Sequence, residues 1–293
     1  MIQKGTRKQH YVPQFYLQNF KDNEGKLCVY SKKEKKFYKS SPRDICHKRY
    51  LYETEWKEPS NEIGQFILFN HLEKLMSERE SKYAPVIYKI INICQDLRNS
   101  DCLVCNKQEK EILYSFVANL YCRNKWYLEL IDKWVKLDNV VNDKELQVYR
   151  EIVESIGLGD FEAYIQASLK KLCVDDEFTG GSANHFKQQL MLMEYCILET
   201  DLYSFITADC PFVCSLSMDE NNLFKSIFIP IHPKCGILFF EPKIHKDLHE
   251  YKNRIYPVDK EVVYELNREL FNDSEHSEYL ISHDFKTLKE IIE

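Results

Sequence analysis

The chain has 293 residues, 44% of them hydrophobic and 13% aromatic, enough to bury a sizeable core without disulfide or metal staples. A formal net charge of -6 argues against a uniformly basic nucleic-acid-binding surface and leaves room for a local basic patch only. The 11 cysteines, an odd number at irregular spacing, fit reduced packing thiols better than a secreted disulfide framework.

The first residues lack the apolar core of a secretory leader, and no apolar run approaches the roughly 20 residues that span a bilayer. The chain is therefore expected in the cytoplasm, with no membrane partner. Its 8 glycines and 9 prolines are spread out, with no Pro/Ser/Gly-rich linker. A single α+β domain over 1–293 is expected, with a motif and hairpin at 1–60, a helical region at 61–200 and a β-rich region at 201–293.

In chain order, His10 sits on a strand-like entry, because Val12 precedes a proline and is pushed toward extended backbone. Pro13 opens a helix on which Tyr16, Leu17 and Phe20 share an apolar face, with Gln14, Gln18 and Asn19 turned elsewhere. Leu27–Tyr30 and Phe37–Lys39 read as a hairpin with a lysine-rich tip. Ser41-Pro42 offers a helix start, and Arg49–Glu53 a short strand. A long helix is expected over Asn61–Asn92, bending or breaking near Pro85. Helical periodicity continues over Lys107–Leu137, Lys144–Ile156, Asp160–Leu172 and Ser182–Glu199, separated by Gly157-Leu158-Gly159 and Gly180-Gly181. After Asp201, strands are expected at Tyr203–Thr207, Phe212–Leu216, Ile227–Ile231, Gly236–Phe240 and Glu278–Ser282, with helices at Asp259–Leu270 and Phe285–Ile292. The fold class is α+β: a central α-helical bundle with a small sheet formed by the N-terminal hairpin and the C-terminal strands.

The run His10-Tyr11-Val12-Pro13-Gln14-Phe15-Tyr16-Leu17-Gln18-Asn19-Phe20 resembles the opening of domain-of-unknown-function family 4238, a family of bacterial proteins, and the resemblance extends over nearly the whole chain. Further matches are Arg123 in Val117-Ala118-Asn119-Leu120-Tyr121-Cys122-Arg123, Thr207-Ala208-Asp209-Cys210-Pro211, Phe228-Ile229-Pro230-Ile231-His232-Pro233, and Asn267. The chain departs from the family's Thr-Ser-Asp-x-Pro pattern at Ala208, and carries Cys210 where a polar residue is expected. The resemblance implies a shared architecture and a shared polar site.

Three residues are the catalytic candidates. An imidazole at His10 titrates near neutral pH and suits a general acid or base. Asp209, between a strand and Pro211, would orient that imidazole or accept a proton; alternatively it satisfies backbone donors in a turn. Arg123 lies one helical turn beyond Asn119, a pair suited to a phosphate or carboxylate, the alternative being a buried ion pair with a helix carboxylate. His10, too, has a structural alternative, a hydrogen bond to a carbonyl. Gln14, Asn119, Lys32 and Lys33 are candidate substrate-binding residues, with the hairpin lysines offering diffuse attraction to phosphate or simply a solvated tip.

Glu62 and Glu73, eleven residues apart on one helix side, raise a divalent metal as a cofactor, but no Glu-x-x-His or matching carboxylate pair supports it. Cys102-Leu103-Val104-Cys105 has zinc spacing without a second ligand pair. No metal ligand is assigned. Phosphate-loop, dinucleotide-binding, zinc-protease and nucleophile-elbow patterns are all lacking. The leading expectation is a nucleic-acid-acting hydrolase, a nuclease-like effector in bacterial defence or toxicity with RNA or DNA as substrate. The alternative is a non-catalytic binding or protein-interaction module.

Overall fold

β1 (Lys8–His10) runs through Pro13, whose extended ψ of 137° turns the chain into α1 (Gln14–Leu17) and a 3-10 turn at Gln18–Phe20. The computed structural model describes residues 7–55, 66–67, 70–96, 102–136, 144–155, 161–216, 224–273 and 275–293. Next come the hairpin β2 (Leu27–Ser31) and β3 (Lys36–Ser40), then β4 (His47–Arg49), β5 (Thr54–Glu55) and β6 (Phe66–Ile67). The helical region holds α2 (His71–Gln95), α3 (Lys107–Cys122), α4 (Lys125–Lys136), α5 (Lys144–Ser155), α6 (Phe161–Val174) and α7 (Ser182–Met191). It is followed by β7 (Glu194–Glu199), β8 (Thr207–Ala208), β9 (Val213–Leu216), β10 (Phe224–His232), β11 (Cys235–Phe240) and β12 (Ile255–Pro257). Then come α8 (Lys260–Asn272), β13 (Tyr279–Ser282) and α9 (Phe285–Ile292).

The hairpin joins the C-terminal strands as expected, in a four-stranded antiparallel sheet of order β3-β2-β13-β8, with Tyr279 opposite Ser31 and Ile281 opposite Thr207. A second sheet, β12-β7-β11-β10-β9, is antiparallel except for the β12–β7 pair. Its central strands β7, β11 and β10 are largely buried on both faces. Tyr195, Ile197, Ile229, Ile237 and Phe239 join the main core with α2, α3 and the N-terminal motif, while Cys196, Leu198, Phe228 and Phe240 pack against Leu248 and Val263.

That two-sided burial explains one departure from the periodicity. The expected helix over Ser182–Glu199 stops at Met191, because Tyr195-Cys196-Ile197-Leu198 is an interior strand whose continuous apolar run mimics a helical face. The expected helix over Lys107–Leu137 is likewise two, divided at Arg123-Asn124, where the Asn124 side chain accepts from Trp126 N at 3.2 Å and starts α4. Conversely, Pro85 does not break α2. Tyr83, Val86, Ile87, Ile90 and Ile91 are buried around it, and their burial outweighs the roughly 3 kcal/mol that an interior proline costs.

Smaller corrections follow from local chemistry. Ser41-Pro42 opens a turn closed by Asp44 N on Ser41 O, not a helix. The short strand lies at His47–Arg49, ahead of the expected Arg49–Glu53, and pairs with β1. Residues 66–67 are strand, so α2 begins at His71 rather than Asn61, and the Tyr203–Thr207 strand shrinks to β8. Gly157-Leu158-Gly159 and Glu62 lie outside the described residues. Helix starts follow capping rules: Asn106 and Glu109 exchange side-chain-to-backbone bonds at α3, and Asp259 and Asp284 cap α8 and α9.

Candidate functional site

The polar residues of the motifs meet in the interior. Tyr16, fully buried, donates its hydroxyl proton to Pro230 O at 2.6 Å and accepts from Thr207 Oγ1 at 2.6 Å. One side chain of α1 thereby ties β8 of one sheet to β10 of the other. Asn267 of α8 braces the chain entering β8, donating to Ser204 O and accepting from Ile206 N.

His10 is held on both ring nitrogens. The carbonyl of Arg43 can only accept, so Nε2 donates to it at 3.1 Å and Nδ1 accepts from the Gln14 amide at 3.3 Å. Burial, reinforced by the nearby charges of His47, Arg123 and Lys8, pushes the imidazole down to about 4 against the opposing Arg43 bond. The ring is therefore neutral near pH 7. Gln14 is thus the positioner of His10.

Arg123 is 2% exposed and anchors the same strand from behind. Its fork donates to Tyr52 Oη at 3.1 Å, Glu80 Oε1 at 2.7 Å and the main-chain oxygen of His10 at 2.5 Å. Tyr52 also donates to that oxygen, at 2.8 Å. Burial opposes the charged guanidinium, yet Tyr52 and Glu80 hold its pKa above the ordinary arginine value. Asn119 does not share this work. It donates to Val174 O on α6 at 2.8 Å.

Asp209, 4% exposed, accepts on one oxygen from Ser277 Oγ and from the backbone amides of Glu278 and Tyr279, each at 2.9 Å, and on the other from Tyr11 Oη at 3.3 Å. Its own carbonyl accepts from Asn124 at 2.6 Å. Burial, with the Glu278 charge nearby, raises its pKa, while the bonds from the Tyr279 and Glu278 amides and Ser277 act in the opposite direction. Tyr11 adjoins His10 and touches Asp209, so the structure brings the N-terminal motif, the Arg123 corner and the Asp209 turn together. Each of the three polar side chains is met by internal partners.

The lysines divide. Lys32 donates to Leu270 O at 3.0 Å and Asp273 O at 2.6 Å, capping the C-terminal carbonyls of α8. The Lys32 ammonium thus already has two main-chain partners. Lys33 instead lines a cavity of about 280 Å³ outside Asp209, with Asn124, Lys125, Trp126 and Glu278. That cavity shares Lys125, Glu129 and Glu278 with a neighbour beside His47, and Trp126 and His276 with another beside β9. The result is a groove of mixed charge and aromatic walls.

Among the described residues no group of three or more His, Cys, Asp or Glu is placed to hold a metal ion. Cys102 is exposed and Cys105 buried, both as free thiols. Glu73 is a second perturbed carboxyl beside the clamp. Burial, with Glu80 and Glu53 nearby, pushes it up to about 7 against the attraction of Arg123. A raised folded pKa contributes stability that is complete below about 4.3, the unfolded value, and is lost as the pH climbs through about 7. Glu73→Gln is expected to exceed the wild type in stability by about 1–3 kcal/mol at roughly pH 8, the gap closing below about pH 4. Urea denaturation across pH measures this, and a gap independent of pH would contradict the burial.

Tyr11, Tyr16, Tyr52, Glu80, Asn124 and Ser277 were not singled out by the sequence. The signal for the first two was present. A tyrosine on an otherwise apolar motif face must find a partner for its hydroxyl when buried.

Two sheets locked through a buried polar clamp, with a surface groove over the clamped carboxylate, define an α+β protein whose motif residues organise its interior. The chain belongs to DUF4238, a protein family of unknown function, whose profile matches residues 8–286. No curated protein and no solved structure matches it. No helix among the described residues is long and apolar enough to cross a membrane.

Proposed function

We propose that the chain is a non-catalytic interaction module, in which the N-terminal motif clamps the scaffold and the groove outside Asp209 receives a partner. The supporting observation is the engagement of His10, Arg123 and Asp209 by internal donors and acceptors. A general base needs a free lone pair within reach of its substrate, and that of His10 is occupied by Gln14. The groove carries Trp126 and charges of both signs, Lys33 and Lys125 against Glu129, Glu275 and Glu278. Such a mixture suits a polypeptide better than a polyanion.

The test is incubation of the folded protein with end-labelled RNA and DNA, with and without magnesium or manganese, beside His10→Ala. No cleavage above the buffer blank is expected. The variant should lose about 1–3 kcal/mol of stability, because it strands the Gln14 amide and the Arg43 carbonyl. Cleavage by the wild type that disappears in a variant of unchanged melting temperature would establish the nuclease reading instead.

A further inference from the structure

Four strands end the two larger sheets, and three carry features that discourage another strand from adding. β12 is three residues long and ends at Pro257, β8 is two residues long, and β3 presents Lys36 and Lys39 as exposed charges. β9 differs: the one irregularity of its ladder, a register shift at Phe224–Ser226, lies on the β10 strand. Its sequence Val213-Cys214-Ser215-Leu216 has neither charge nor proline, its last three residues are exposed, and among the described residues β10 is its sole strand partner.

Val213, Cys214 and Leu216 also form one wall of a cavity of about 430 Å³. Aromatic rings line it: Tyr121 meets Phe212 edge-on at 5.2 Å, and the Trp126 and His276 rings lie 4.6 Å apart. Its rim bears the carboxylates of Glu269 and Asp273, with no lysine or arginine among the described lining residues. His276 already meets Asp273, whereas Glu269 is exposed. The open edge, the aromatic lining and the negative rim lie on one groove.

We infer that β9 is a docking strand for an extended segment of a partner protein that alternates basic with apolar side chains. The inference rests on the interaction-module reading and names its occupant. Backbone hydrogen bonds would extend the β12-β7-β11-β10-β9 sheet by one strand. Because strand side chains alternate faces, one set enters among Tyr121, Phe212 and Phe224 while lysines or arginines on the other side reach Glu269 and Asp273. A nucleic acid would bring phosphates against two carboxylates.

The probe is a fluorescent ten-residue peptide alternating lysine with valine or phenylalanine, titrated against the full chain. Controls are a glutamate-for-lysine version and two versions N-methylated at alternate residues, each blocking one edge of the strand. Saturable binding is expected. The glutamate peptide and one N-methylated version should bind at least about tenfold more weakly, the other N-methylated version should bind as the parent does, and Glu269→Lys or Cys214→Lys should weaken binding by about fivefold or more. Equal binding of both N-methylated peptides, equal binding of the glutamate peptide, insensitivity to the β9 and rim variants, displacement by an RNA oligonucleotide, or no binding at all would overturn the docking strand. Such a failure with no nuclease activity leaves the module reading intact. Nuclease activity lost in a stably folded His10→Ala removes that reading whatever the peptide does.

Discussion

Arg123→Ala is expected to cost about 3–5 kcal/mol of stability, the range for removing one partner of a buried ion pair. The fork reaches Tyr52, Glu80 and the His10 main chain at once, so its loss frees β1 from α3. Glu80 is then left near Glu73, whose carboxyl it already pushes upward. Arg123→Lys should recover only part of the loss, since a single ammonium cannot reproduce a planar fork serving three acceptors. The urea midpoint reports both variants. A ligand-binding Arg123 would give the opposite pattern, near-normal midpoints and lost function.

Asp209→Ala is expected to be nearly as damaging. It removes the acceptor of Tyr11 Oη and of two part-buried backbone amides, and leaves Ser277 Oγ only the Tyr279 carbonyl at 3.4 Å; each unsatisfied buried group costs about 1–3 kcal/mol before relaxation. A net loss of about 3–5 kcal/mol follows if water reaches some of them. Asp209→Asn keeps an acceptor oxygen for Ser277 and the two amides, so it should cost no more than about 2 kcal/mol. The two differ in pH dependence as well. Burial raises the folded pKa of Asp209, so its contribution is full below the unfolded value near 3.9 and falls as the pH passes through the raised value. Wild-type stability relative to Asp209→Asn should therefore decline from acid toward neutral pH. A difference that grows in that direction would mean that the hydrogen bonds to Asp209 outweigh burial.

The sequence made the hairpin, most helices and the C-terminal strands legible, because each has a clear period and flanking turn residues. It misled where burial exceeds what one period can express. Tyr195-Cys196-Ile197-Leu198 is apolar on both faces, and the residues around Pro85 bury enough surface to carry a helix through it. The motif residues were legible as a group that meets. Their roles were not, because the partners of His10, Arg123 and Asp209 are a carbonyl at 43, a carboxylate at 80 and amides at 278 and 279. A backbone group has no signature in sequence, and spacing along one helix cannot show which distant carboxylate faces Arg123.

The Tyr11–Asp209 bond joins residues 198 positions apart. During synthesis at about 5–20 residues per second, the acceptor leaves the ribosome roughly 10–40 s after the donor. β2, buried at all five residues, waits longer still for β13. For that interval an apolar strand has one hairpin neighbour and no second one, a state open to premature association with other nascent chains. The charged lysines of β3 guard the far side of the hairpin meanwhile. Assembly of the hairpin sheet thus waits for β13, and the Asp209 part of the clamp closes only once residues 277–279 are made.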